Sequence, residues 1–144
     1  MYTMGTISKH FSYREFEHSE YADRHDICNV IRGYQVRDSI KALVDEVLEP
    51  LREAWGAPLT ISSGYRCPEV NAGVGGVPTS QHVLGEAADV AAADPLRLAR
   101  LAVGLHLSFD QMIIYPTFVH FSHKLSGVQR GQILYNHRYT GPRL

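Results

Sequence analysis

Three residues in this chain combine side-chain types that bind divalent cations: His82 and Asp89, seven positions apart in "SQHVLGEAADV", and His120 in "FVHFSH". Two neutral imidazoles and one carboxylate suit zinc, and they leave a fourth position for water. A metal there would lower the pKa of that water and polarise an amide carbonyl. By spacing alone the three also fit a blander arrangement, in which a carboxylate and two histidines solvate the ends of loops. Strand alternation in "FVHFSH" puts His120 and Ser122 on one face and Val119, Phe121 and His123 on the other, favouring His120 over His123 for a buried polar site. Arg66, sixteen residues before His82, offers a rigid fork of donors to carboxylate or carbonyl oxygen.

The elements that would position these residues are readable in outline. Ser12 with Glu15 forms a capping-box pattern that starts a short helix near Tyr13. Val36, Ile40, Leu43, Val44, Val47, Leu48 and Leu51 trace an apolar stripe, predicting a helix from about Gln35 to Trp55, kinked at Pro50 and stopped by Gly56 and Pro58. Leu59 to Ser62 reads as a strand running into a glycine turn that presents Tyr65 and Arg66. "CPEVNAGVGGVPTSQH" reads as a shaped loop. "AADVAA" is compatible with a buried strand carrying Asp89, and Asp94-Pro95 opens a helix that ends before Gly104. Strands are expected at Phe109 to Tyr115 and Phe118 to Ser122, and "RGQILYNHRYTGPRL" adds a short edge or connecting element.

Composition bounds the rest. With 144 residues, the chain fits one domain, 1–144, with a core of about 11–134. The 44% apolar and 20% charged residues support a packed core, and a net charge of -1 offers no electrostatic reason to expect nucleic-acid binding. Cys28 and Cys67 are expected as unpaired, partly buried thiols. No segment reads as a signal peptide or transmembrane span, so synthesis as a soluble cytoplasmic monomer is expected, with release to the envelope by another route, as in phage lysis. Lys124, Arg130, Arg138 and Arg143 are expected to form a mostly solvated face.

"SSGYRCPEVNAGVGGVPTSQHVLGEAADV" followed by "FDQMIIYPTFVHFSH" resembles the zinc D-alanyl-D-alanine carboxypeptidase family of peptidoglycan peptidases, in particular its small single-domain phage and bacterial members. The resemblance extends over most of Phe11 to Leu134. It implies an α+β fold of the hedgehog and DD-peptidase type, a small antiparallel sheet packed with helices. It also implies that His82, Asp89 and His120 hold Zn2+, and that Arg66 binds or polarises substrate oxygen on a peptidoglycan stem peptide or cross-peptide. Ser80 and Gln81, just before the first histidine, are placed for supporting hydrogen bonds.

One departure stands out. Members of that family carry an acidic residue shortly before the last histidine, where this chain reads "MIIYPTFVH". Tyr115 occupies the approximate position, and its phenol suits substrate orientation or oxyanion stabilisation better than proton abstraction at neutral pH. Glu86, Asp110 and His123 are the other candidates for the general base. The missing acid also leaves open an alternative, a zinc-bearing peptidoglycan-binding or structural protein without hydrolytic activity.

Overall fold

The computed structural model describes residues 5–144, with helices gathered against one mixed sheet. Two short helices, α1 (Tyr13–Glu17) and α2 (Glu20–Arg24), come first. The capping box at Ser12 is present, with the Glu15 carboxylate accepting from the Ser12 backbone N–H at 2.8 Å. Ser19 caps α2 by accepting from Ala22 N–H, a second cap that the sequence reading passed over.

The long helical segment is built from α3 (Tyr34–Leu43), a π turn (Val44–Leu48) and α4 (Glu49–Trp55). The expected kink at Pro50 takes the form of this π turn. Proline cannot donate to the carbonyl one turn back, and its ring crowds that carbonyl. Widening the preceding turn relieves both problems, and Glu49 N–H bonds to Val44 O across it. Ile40, Leu43, Val44, Val47, Leu48 and Leu51 are all fully buried, as the apolar stripe requires. Gly56, at φ 76°, closes the helix in the left-handed conformation.

Five strands follow: β1 (Ile61–Ser63), β2 (Ala87–Ala91), β3 (Gln111–Ile114), β4 (Phe118–Ser122) and β5 (Gln132–Tyr135). Their spatial order is β1-β2-β4-β3-β5. The β1-β2, β2-β4 and β3-β4 pairs are antiparallel, whereas β5 runs parallel to β3. The sheet is therefore mixed, which corrects the expectation of a purely antiparallel one. β2 already occupies the other edge of β4, so the strand formed after Ser122 pairs instead with the outer edge of β3, the open edge next to β4. A short connection makes that strand start at the end where β4 stops, antiparallel to β4 and hence parallel to β3.

The expected loop between Cys67 and His82 also needs correction, because it contains helix α5 (Pro68–Gly73). Pro68 in its first turn and Glu69 beside it are helix-start features that the surrounding glycines obscured. Helix α6 (Pro95–Gly104) begins where Asp94-Pro95 predicts, with the Asp94 carboxylate accepting from Arg97 N–H. It packs on β3, β4 and α4. Val90, Met112, Ile114, Val119 and Phe121 fill the shared core beneath the helices and are fully buried. Cys28 and Cys67 are both free thiols, Cys67 partly buried as expected, whereas Cys28 is exposed, which corrects that part of the expectation. Among the described residues no helix is long and apolar enough to cross a membrane.

Candidate metal centre

The sheet face away from the buried Val119 and Phe121 carries the polar cluster. Asp89 in β2 and His120 in β4 are directly opposed in the antiparallel register, so alternation projects both to the same side. Asp89 Oδ1 lies 2.9 Å from His120 Nδ1 and 3.3 Å from His82 Nε2. The rings of His82 and His120 meet edge to face, with centroids 5.1 Å apart.

His82 is brought in by two hydrogen bonds, one backbone and one side-chain, between its loop and the "SGYR" segment. Its backbone O accepts from Arg66 N–H at 3.1 Å, and its Nδ1 donates to Gly64 O at 2.7 Å. That second bond places the proton on Nδ1 and leaves the Nε2 lone pair aimed at Asp89 and His120. Gly64 is required by close approach: a Cβ there would sit 2.7 Å from Phe16 Cα. Gly85, at φ 76° and with Val36 O only 2.8 Å from a notional Cβ, turns the chain from the His82 loop into β2.

The donor set fits a zinc ion. One ligand atom from each of His82, Asp89 and His120 lies within 4.8 Å of the others. Four donors at zinc bond lengths of about 2.0–2.1 Å stand about 3.3 Å apart at the corners of a tetrahedron, close to the His82 to Asp89 separation. Burial pushes the Asp89 carboxyl up, but the neighbouring imidazoles of His120 and His82 outweigh it and hold the group far below the usual carboxylate range. The cluster therefore presents an ionised carboxylate, as a cation requires.

The three residues line an open cavity of about 390 Å³, together with Arg66, Tyr115, Gln81, Gln111 and Arg130. Arg66 Nη2 is 3.8 Å from Asp89 Oδ2. Its guanidinium is fixed by Ser63 Oγ at 3.3 Å and by Asn71 Oδ1 at 3.1 Å. Asn71 is buried in α5 and donates in turn to Val77 O, so the unforeseen helix is what aims the arginine. Burial lowers the Arg66 pKa from its ordinary value, with Asp89 and Tyr115 opposing. Tyr115 stacks on Phe118 with ring centroids 4.1 Å apart. Burial raises its phenol pKa, Asp89 adds to the rise and Arg66 counters it, so the group is a neutral donor at neutral pH.

The remaining candidates stand elsewhere. Glu86 does not line the cavity: Oε1 accepts from Gln81 Nε2 and Oε2 from Leu125 N–H. Asp110 is fully buried and bonded by Arg130, whose hydrogen bonds are the main cause of its pKa falling to about 2. His123 is buried with Nδ1 unpartnered among the described residues, and burial lowers its pKa. Ser80 Oγ accepts from the His82 backbone N–H, while Gln81 bridges Glu86 and Asp110. Arg130 is exposed, as expected of the solvated face, and it also lines the cavity and forks onto Asp110. Asn71 and Arg130 were both missed, since each acts through a partner distant in sequence.

A polar cluster of this kind, carried on the sheet of an α+β domain and lining an open cavity, offers a ligand set for a metal ion. The family model for Peptidase M15 matches residues 9–123, and the chain belongs to that family of zinc D-Ala-D-Ala carboxypeptidase-type metallopeptidases. No curated protein matches the chain. The matched segment contains α1 through β4 and ends before Arg130 and β5.

Proposed function

We propose that this protein hydrolyses a D-amino-acid-containing peptide bond of peptidoglycan, with zinc held by His82 Nε2, Asp89 Oδ1 and His120 Nδ1. The observation that carries the reading is the convergence of these three atoms at the foot of a cavity also lined by Arg66 and Tyr115. The chain is read as one domain of the hedgehog and DD-peptidase type that acts at the cell envelope. Zinc supplies Lewis acidity toward a carbonyl and brings the pKa of water near neutrality.

The chain's own residues supply the rest. Arg66, pinned by Ser63 and Asn71, offers its fork to the carbonyl or carboxylate oxygen of the peptide and holds the scissile bond over the cluster. The neutral phenol of Tyr115 donates to the oxygen that gains negative charge, or to the departing amine. Among the described residues lining the cavity, Asp89 is the only carboxylate, and Tyr115 is the only titratable side chain besides the three cluster residues and the arginines. Gly64 O keeps the His82 ring turned toward the cluster through each of these steps.

Incubation of zinc-loaded protein with defined cell-wall peptides, followed by mass spectrometry, tests the reading. Metal-dependent products cut at a D-residue are expected, and His120→Ala abolishes them. No cleavage under conditions where a related peptidase works rejects it. A second reading, a zinc-bearing peptidoglycan binder without turnover, draws on the lack of any cavity carboxylate beyond Asp89. Tight muropeptide binding with zinc present and no product would select that alternative.

A further inference from the structure

Arg130 lies beyond the segment matched to the Peptidase M15 family, yet it reaches the same cavity as Arg66. Its contacts are one-sided. The backbone N–H donates to Asp110 Oδ1 at 2.9 Å, Nε to the same oxygen at 3.0 Å and Nη2 to Oδ2 at 2.7 Å. Asp110 is itself fully buried and receives a further bond from Gln81 at 3.2 Å. The carboxylate thus clamps one edge of the guanidinium, while Nη1 meets no acceptor among the described residues. The arginine side chain remains 49% exposed, so this unpaired edge is accessible rather than sealed in the core.

Such a fork, held rigid on one edge and open on the other, is built to receive a planar anion. Charge in the cavity points the same way. In the lining the Asp89 carboxylate is outnumbered by Arg66 and Arg130, and behind Arg130 the Asp110 carboxylate also faces Lys124, whose Nζ is 3.9 Å away. A bound divalent cation leaves the cavity positive and selects an anionic substrate.

Position sets which part of the substrate the fork meets. Ile113 is opposite His120 in the β3-β4 register, and Asp110 N–H continues that ladder to Ser122 O. Three residues of strand place Asp110 about 10 Å along the sheet from the level of His120. Extended peptide covers that span in about three residues. We propose that Arg130 is a specificity-determining residue whose open Nη1 edge binds a carboxylate of the peptide, displaced along the sheet from the attacked carbonyl. This assignment rests on the peptidase reading for its substrate class. The carboxylate has two sources in such peptides, the chain terminus and the internal α-carboxyl of a γ-linked D-glutamate.

Calorimetric binding to zinc-loaded protein separates them with two peptide pairs. One pair ends in D-alanyl-D-alanine as the free acid or the amide, and the other carries γ-linked D-glutamate or D-isoglutamine. Wild-type protein is expected to favour the carboxylate form in one pair by about tenfold or more, and Arg130→Gln to bring that pair within about twofold. Arg130→Lys keeps a charge beside Asp110 without the fork and loses most of the preference. Lys124→Gln, which removes a nearby charge but spares the fork, keeps it. The pair that responds names the source. No preference in either pair, or a preference that survives Arg130→Gln, overturns the proposal. A preference lost in Arg130→Gln while wild-type protein cleaves neither peptide supports the Arg130 site and rejects the peptidase reading alone.

Discussion

Asp89 Oδ1 lies 2.9 Å from His120 Nδ1, and the two residues are direct cross-strand partners in β2 and β4. The contact is a product of register: sliding β2 by one residue would turn Asp89 into the core and Ala88 or Val90 toward the cavity. Asp89→Ala is expected to leave the sheet intact and to take bound zinc from one equivalent per chain toward none. Metal analysis after dialysis, together with a circular dichroism spectrum, checks both halves.

Gly64 orients His82 through its carbonyl, and Phe16 leaves no room for a side chain there. Gly64→Ala should therefore shift that carbonyl, weakening zinc binding by about 10–100-fold and costing about 1–3 kcal/mol of stability through overpacking. Chelator competition reads the first effect and denaturant unfolding the second. Normal zinc affinity in a destabilised variant would separate the packing role from the orienting one.

Tyr115→Phe removes the phenol while retaining the ring stacked on Phe118. A fall in kcat of about 100-fold or more, with zinc content unchanged, is the expected result for losing a donor aimed at developing charge. Because burial raises the Tyr115 pKa, the phenol stays protonated through the alkaline range in which an ordinary tyrosine begins to ionise. The tyrosine-dependent part of the rate should accordingly persist to higher pH than an ordinary phenol would allow, which a pH–rate profile of wild type against Tyr115→Phe reads.

Glu86 spends its carboxylate oxygens on Gln81 and on Leu125 N–H, away from the cavity lining. Glu86→Gln should retain turnover, whereas loss of a general base costs about 10²–10⁴-fold. A loss on that scale with zinc still bound would return Glu86 to the role of base.

Asp110 titrates at about 2 in the folded protein because Arg130 bonds its ionised form. A depressed carboxyl pKa adds stability that is complete above the unfolded value of about 3.9 and disappears as pH falls through the folded one. Its contribution is on the order of 1–2 kcal/mol, discounted for the solvent around the half-exposed Arg130. The stability gap between wild type and Asp110→Asn should be flat above about pH 5 and shrink between about pH 4 and pH 2. Urea melts across that range measure it, and a gap that widens toward acid would contradict the ion-pair account.

Much of this protein was legible without coordinates where the information is local. The capping box at Ser12, the apolar stripe from Ile40 to Leu51 and the Asp94-Pro95 helix start depend on residues within a few positions of one another, and each appears close to where periodicity puts it. Alternation in "FVHFSH" likewise separates His120 from the buried Val119 and Phe121. Residue types at 82, 89 and 120, joined with the "SGYR" element, nominated a metal set and its family. Long-range relations were not legible. Whether β5 adds parallel or antiparallel depends on which sheet edge is vacant. Arg66 is aimed by Asn71 within a helix that resembled a loop, Glu86 is drawn toward Gln81 and Leu125, and Arg130, solvated as expected, also forks onto Asp110 at the cavity. Chain periodicity determines which way a side chain points from its own element, but only packing and register decide what it meets there.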